Sequence, residues 1–131
     1  MKIEISNGEL VDKLTILELK QIHVNDSNKL NNINNELSYL IEYFNILKTK
    51  AEREVLRNLM SLKDKLFNVN QKLWNIEDAI REKEAAQEFD SQFIKLARSV
   101  YIVNDERASI KKEINILTKS ELVEEKSYKK Y

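Results

Sequence analysis

The stretch Leu59-Met60-Ser61-Leu62-Lys63-Asp64-Lys65-Leu66-Phe67-Asn68-Val69-Asn70-Gln71-Lys72-Leu73-Trp74-Asn75-Ile76 decides the fold class. Apolar side chains return in it after three and four places, at Leu59, Leu62, Leu66, Val69, Leu73 and Ile76, and once more at Ile80. At about 3.6 residues per turn this spacing lays them along one side of an α-helix. A strand would need strict alternation instead. A second row, Met60, Phe67 and Trp74, recurs every seven residues, about 100° round from the first. Two adjacent apolar rows need two partners, so this helix, expected over residues 50–86, reads as the centre of the fold.

Working outward, the same periodicity covers most of the chain. Leu30, Ile33, Leu37, Leu40, Phe44 and Leu47 form an unbroken heptad seam on a helix expected over 28–48. The seam loses phase near residue 48, where Thr49 and Glu52 have capping-box spacing and predict a tight turn. Before it, Asn25-Asp26-Ser27-Asn28 is a break rich in side chains that compete for backbone hydrogen bonds. A first helix over 7–24 is expected to start from a Ser6/Glu9 capping box and to bury Leu10, Val11, Leu14, Leu17 and Ile22. Met1, Ile3 and Ile5 alternate with polar residues, as in a short extended arm. On the other side, Asp90 is a natural N-cap, with Phe89 and Ile94 spaced as a hydrophobic staple. The helix it opens, over 91–118, carries Phe93, Leu96, Val100, Val103, Ile110, Ile114 and Leu117. Residues 119–131 read as a further helical turn or a frayed tail. Helices three and four, joined by a few residues, must be antiparallel neighbours, and helix two is expected to pack along the basic half of helix three. The expected architecture is one all-α domain, an antiparallel helical bundle built on a long hairpin with coiled-coil-like packing.

Composition narrows the function classes. The chain of 131 residues has no Pro and a single Gly, which excludes a turn-rich β-fold and the glycine loops that cradle phosphates. Without Cys there are no disulfides and no thiolate metal sites. Twenty-two basic and 22 acidic residues balance, so there is no general pull toward nucleic acid or anionic membrane. The first residues lack the apolar run of a secretory signal, and no run approaches the roughly 20 residues of a membrane span. A cytoplasmic protein is expected.

Charge is unevenly distributed. Residues 48–72 carry seven bases and three acids, whereas residues 74–90 carry six acids and two bases. Bases at the start of a helix and acids at its end oppose the helix dipole. Either solvent and neighbouring helices screen them, or an antiparallel copy of the same helix sets each basic half against an acidic half across a two-fold axis. A homodimer is therefore expected.

Three sets of residues qualify as candidate sites. Glu9 and Asp12, with Glu18 two turns on, have the spacing of carboxylates that hold a hard divalent cation beside a phosphate, although an acidic helix start is ordinary in itself. The second carboxylate pair that such a centre needs is not evident, since Glu77-Asp78 and Asp105-Glu106 are adjacent rather than a turn apart. Arg98, Tyr101, Asn104, Asp105 and Arg107 crowd the fourth helix, with Glu77 and Arg81 opposite on the third. Such a set is a register-fixing ion-pair cluster, as a polar residue in a coiled-coil seam often is, with an anion pocket built on Arg98 and Arg107 as the functional alternative. Lys50, Arg53 and Arg57 form a basic strip without interleaved aromatics. His23 is the only histidine, so no multi-histidine metal site is expected and no cofactor is implied.

Five segments, Gly8-Glu9-Leu10-Val11-Asp12-Lys13-Leu14-Thr15-Ile16-Leu17-Glu18, Leu73-Trp74-Asn75-Ile76-Glu77-Asp78, Leu96-Ala97-Arg98-Ser99-Val100-Tyr101, Asn104-Asp105-Glu106-Arg107-Ala108 and Glu125-Lys126-Ser127-Tyr128, resemble a family of short all-helical proteins of unknown function from bacteria, notably marine ones, and their phages. The likeness runs the length of the chain. It implies no activity for any residue, and only an accessory place beside surface-glycan synthesis. The reading that follows is a non-enzymatic helical interaction or scaffolding module. The alternative is an all-α metal-dependent hydrolase of a nucleotide or other phosphorylated substrate, using Glu9, Asp12 and carboxylates near Glu77 or Asp105.

Overall fold

The periodic stretches form four helices in the computed structural model, which describes residues 1–131: α1 (Asn7–His23), α2 (Ser27–Lys50), α3 (Arg53–Ala85) and α4 (Ser91–Leu117). The chain is 77% helical and contains no strand. Side-chain caps start three of the helices by taking up orphan backbone N–H groups. The Ser6 hydroxyl accepts from Glu9 N at 3.1 Å, Asp26 accepts from Asn28 N and Lys29 N, and Asp90 accepts from Phe93 N at 3.0 Å. Two helix ends close with paired back-bonds. Gln87 N donates to Glu84 O and Glu88 N to Lys83 O, and Lys119 N donates to Ile116 O and Ser120 N to Asn115 O. The turning residues Gln87 and Lys119 have φ of 55° and 52°, where glycine is the usual choice, at a cost of about 1 kcal/mol each.

Several local expectations are corrected. The second helix continues to Lys50 and the third begins at Arg53, because Thr49 donates back to Asn45 O within α2 rather than capping the next helix. Glu52 is the N-cap of α3 without a side-chain hydrogen bond. Only half of the first capping box forms, since the Glu9 carboxylate reaches Lys111 instead of the cap. The staple at Asp90 is replaced by an edge-on contact of Phe89 with Phe93, leaving Ile94 exposed. Ile22 is also exposed.

The centre of the fold is α1, not α3. It packs closely against α2, α3 and α4, whereas α2 packs closely only on α1 instead of lying along the basic half of α3. The reason lies in its side chains: Gly8, Leu10, Val11, Asp12, Leu14, Thr15, Leu17 and Leu19 are all buried, so α1 is covered on more than one face. Leu10, Val11, Leu14 and Leu17 share one apolar cluster with Ile33, Leu37 and Phe44 of α2, Leu59 and Leu66 of α3, and Ile114 of α4. The longest contact is between α3 and α4, antiparallel as expected, with Lys83 pairing with Glu88 and Asp90 at the hairpin end and Lys72 meeting Glu106 further down.

The only glycine marks the closest approach of α1 to α4. A Cβ built on Gly8 would lie 2.3 Å from the Lys111 carbonyl oxygen and 3.0 Å from Asn115 Oδ1, which itself accepts from Gly8 N at 2.6 Å. Gly8→Ala is expected to force the helices apart and lower stability by about 1–3 kcal/mol, despite alanine's better helix propensity. Urea denaturation checks this; an unchanged or raised midpoint contradicts it.

Candidate functional site

Asp12 is fully buried, and both its oxygens are engaged. Oδ1 accepts from Arg107 Nε at 3.0 Å and from Asn70 Nδ2 at 2.9 Å, while Oδ2 accepts from Arg107 Nη2. Arg107 thus grips the carboxylate with two parallel N–H groups, the strongest geometry available to an ion pair. Lys111 Nζ lies 3.9 Å from Oδ2 and 2.5 Å from Glu9 Oε2. Thr15 accepts from Asn70 Nδ2 at 2.9 Å and donates to the Asp12 carbonyl at 2.8 Å, closing a network that joins α1, α3 and α4. The hydrogen bonds to the Asp12 carboxylate raise the Arg107 pKa above its ordinary value, outweighing the burial that opposes the charged form. No buried side-chain polar atom lacks a partner.

The candidate metal carboxylates are therefore occupied by protein cations. Asp12 pairs with Arg107, Glu9 with Lys111 and Lys13, and Glu18 with Lys63 at 2.8 Å. No group of three or more His, Asp or Glu side chains is arranged to hold a metal ion.

The fourth-helix set is also divided differently from the expectation. Glu77 and Arg81 pair with each other along the exposed side of α3 and take no part in an interior network. Arg98 is exposed and forms no ion pair. Arg107 turns to α1, so the acid it pairs with is Asp12, from the set read as metal ligands, and not Glu77 or Asp105. Asp105 accepts from the Tyr131 hydroxyl at 2.6 Å, and Tyr101 packs on the Tyr131 ring with centroids 5.1 Å apart. His23 stacks on Trp74 at 4.7 Å. Asn70, Thr15, Lys111 and Asn115 were not singled out in the sequence. Asn70, an amide three places before Leu73 of the apolar seam, carried the one visible hint.

The C-terminal segment is neither helical nor free. Glu124 accepts from Ser6 Oγ at 3.0 Å, Ser120 Oγ accepts from Asn7 N at 3.0 Å, and Glu125 accepts from Lys112. Tyr131 completes the return to α4. Between this segment and α4 lies an open cavity of about 980 Å³, with Arg107 and Lys111 on the helix side and Lys126, Lys129 and Lys130 on the other. Asn104, half-buried, also faces it.

Comparison with known proteins places this arrangement. A family model described as a family of unknown function (DUF6165) matches residues 1–131. The chain belongs to this family. The full-length resemblance read from its segments is thereby borne out, as is the absence of an assigned activity. No curated protein and no solved structure matches the chain.

Two outcomes follow from the geometry. Arg107→Leu leaves a buried, uncompensated Asp12 and is expected to cost about 3–5 kcal/mol in urea denaturation, while the double variant Asp12→Asn/Arg107→Leu loses much less than the two single changes added together. Strict additivity refutes the coupling. The Tyr131 hydroxyl, held above the ordinary tyrosine value of 10.0 by its hydrogen bond to Asp105, contributes below that value and is lost as pH rises through the raised one. A near-ultraviolet absorbance titration is expected to show one of the five tyrosines ionising late, and no longer so in Asp105→Ala.

Proposed function

We propose that this chain is a non-enzymatic helical interaction module of the cytoplasm that pairs with a second copy of itself along the outer side of α3. The observation that carries the reading is an unspent charge pattern. On α3, Lys63 is taken by Glu18, Lys72 by Glu106, and Lys83 by Glu88 and Asp90, whereas Arg53, Arg57, Asp78 and Glu82 are exposed and meet no opposite charge within the chain. At about 100° per residue these four fall within roughly 60° of one another on the helix surface. Arg53 and Glu82, and likewise Arg57 and Asp78, are equidistant from a point between Phe67 and Asn68. A two-fold axis through that point sets each arginine opposite the partner's acid, as an isologous contact requires.

The neighbouring row of Met60, Phe67 and Trp74 supplies apolar area at the edge of this face, with Met60 exposed and the other two half-buried. Most of the face is polar, so the pairing is weak and sensitive to salt. The hydrolase alternative gains no support, since each of Glu9, Asp12 and Glu18 already meets a lysine or arginine. No helix is long and apolar enough to cross a membrane. An accessory place beside surface-glycan enzymes would be filled in the same manner, by gathering proteins rather than turning over a substrate.

Light scattering across a concentration series at low ionic strength is expected to give a mass rising toward twice 15.5 kDa, and to fall back when salt is added. Arg53→Glu/Arg57→Glu is expected to remain monomeric, and adding Asp78→Lys/Glu82→Lys to restore the dimer. A monomer at every concentration at low salt overturns the proposal, as does a dimer indifferent to the charge reversal.

A further inference from the structure

We infer that the cavity between α4 and the C-terminal segment is a binding site for a small ligand that joins a pyrophosphate to a flat ring, a nucleoside diphosphate by chemical class. The first reason is the charge of its lining. Lys126, Lys129 and Lys130 meet no acid, Arg107 and Lys111 beside them are already paired with Asp12 and Glu9, and the only carboxylate side chain in the lining is Asp105. That carboxylate is already committed to the Tyr131 hydroxyl. Glu9 and Asp12, behind the helix-side wall, are committed to Lys111 and Arg107. Lys126, Lys129 and Lys130 form no ion pair in the structure, so the positive charge on the segment side is not cancelled at short range. Three ammonium groups carried on one short segment fit the spread-out charge of a pyrophosphate better than that of a single carboxylate.

The second reason is what Arg107 has left. Its guanidinium has five N–H donors, and Asp12 takes Nε and one on Nη2. The side chain is 29% exposed and lines the cavity, and its remaining N–H groups have no partner in the chain, on a group that Asp12 holds in place. A cation fixed in position from behind loses little freedom on meeting a ligand. The chain needs no glycine loop for such a site, because side chains rather than backbone N–H groups supply the donors.

The third reason is the non-ionic part of the wall. Val100, Ala108, Tyr101 and the Tyr131 ring border the same space. Tyrosine rings offer the amphipathic surface on which a planar base stacks, worth about 1–3 kcal/mol per base. The cavity, about 980 Å³, is at the upper end of the range of roughly 300–1,000 Å³ typical of small-ligand sites. A nucleic-acid strand is the less suitable occupant, since the chain as a whole is neutral.

Isothermal titration of the full chain at low salt, with ADP, UDP, inorganic pyrophosphate, adenosine and a single-stranded RNA as separate titrants, tests the inference. At least one of the two nucleotides is expected to bind saturably, pyrophosphate about tenfold or more weaker, and adenosine weaker again. The variant Lys126→Ala/Lys129→Ala/Lys130→Ala leaves the helices untouched and is expected to lose about tenfold or more in nucleotide affinity with an unchanged melting temperature. Tyr101→Ala is expected to weaken the nucleotide but not pyrophosphate. No binding of any titrant at millimolar concentration overturns the site, and binding unaffected by the triple variant overturns its location. Pyrophosphate binding as tightly as the nucleotides overturns the ring-recognising wall, and saturable binding of a single-stranded RNA without binding of ADP or UDP replaces the ligand class. None of these readings depends on the oligomeric state, so they stand or fall apart from the α3 pairing.

Discussion

A carboxylate with no access to water has to be answered by donors, and in this molecule the answer to Asp12 comes from two other helices at once. Arg107 of α4 takes both oxygens and Asn70 of α3 takes one of them a second time. A leucine in that position would tolerate sliding by a turn, because apolar contacts are non-directional. A bidentate pair does not. The register of α1 against the α3–α4 hairpin is thus specified by one acid, while the energy of assembly comes from the leucines around it. Gly8 sharpens the same constraint one turn earlier by letting α1 approach the α4 backbone.

The consequence for function is a division of the charged residues into two groups. Those near α1 are spent on structure: Glu9, Asp12, Glu18, Lys63, Arg107 and Lys111 neutralise one another within the chain. Among the unspent charges, two groups stand together, one on the outer side of α3 and one along the C-terminal segment. The proposed pairing of copies and the proposed ligand site both follow from asking which charges remain to be answered. The two surfaces differ in kind. One is a flat, polar strip with charges arranged symmetrically about its middle, suited to a weak symmetric contact. The other is a concave space backed by a guanidinium that the fold already holds rigid.

Much of the architecture was legible before any coordinates. The three-four spacing of Leu59 through Ile80 and of Leu30 through Leu47 appears directly as α3 and α2, and Asp90 caps α4 through its side chain. The errors over local motifs were of one type. Thr49, Glu9 and Phe89 each had a local partner at the right spacing, yet each took a different one, because local motifs hold only a fraction of a kcal/mol to about 2 kcal/mol against competing contacts. Assigning the centre to α3 came from counting apolar rows. The covered faces of α1 include Gly8, Asp12 and Thr15, which do not register as apolar although all three are buried.

The candidate site shows the same boundary. Arg107 stood out as one of a crowded polar set on the fourth helix, and Asp12 stood out as an acid near a helix start, 95 places away. Helix periodicity relates residues a few positions apart, so no pattern along the chain joins those two or brings Tyr131 to Asp105. By itself the sequence determined that the polypeptide makes helices, where they start and stop to within a few residues, and which sides are apolar, since these depend on neighbours within about a turn or two. Which helix is central, which acid meets which base, and that the last residues fold back to border an open cavity were decided by tertiary packing alone. Those outcomes turn on burial and on long-range pairing geometry, which exist only once the helices are placed against one another.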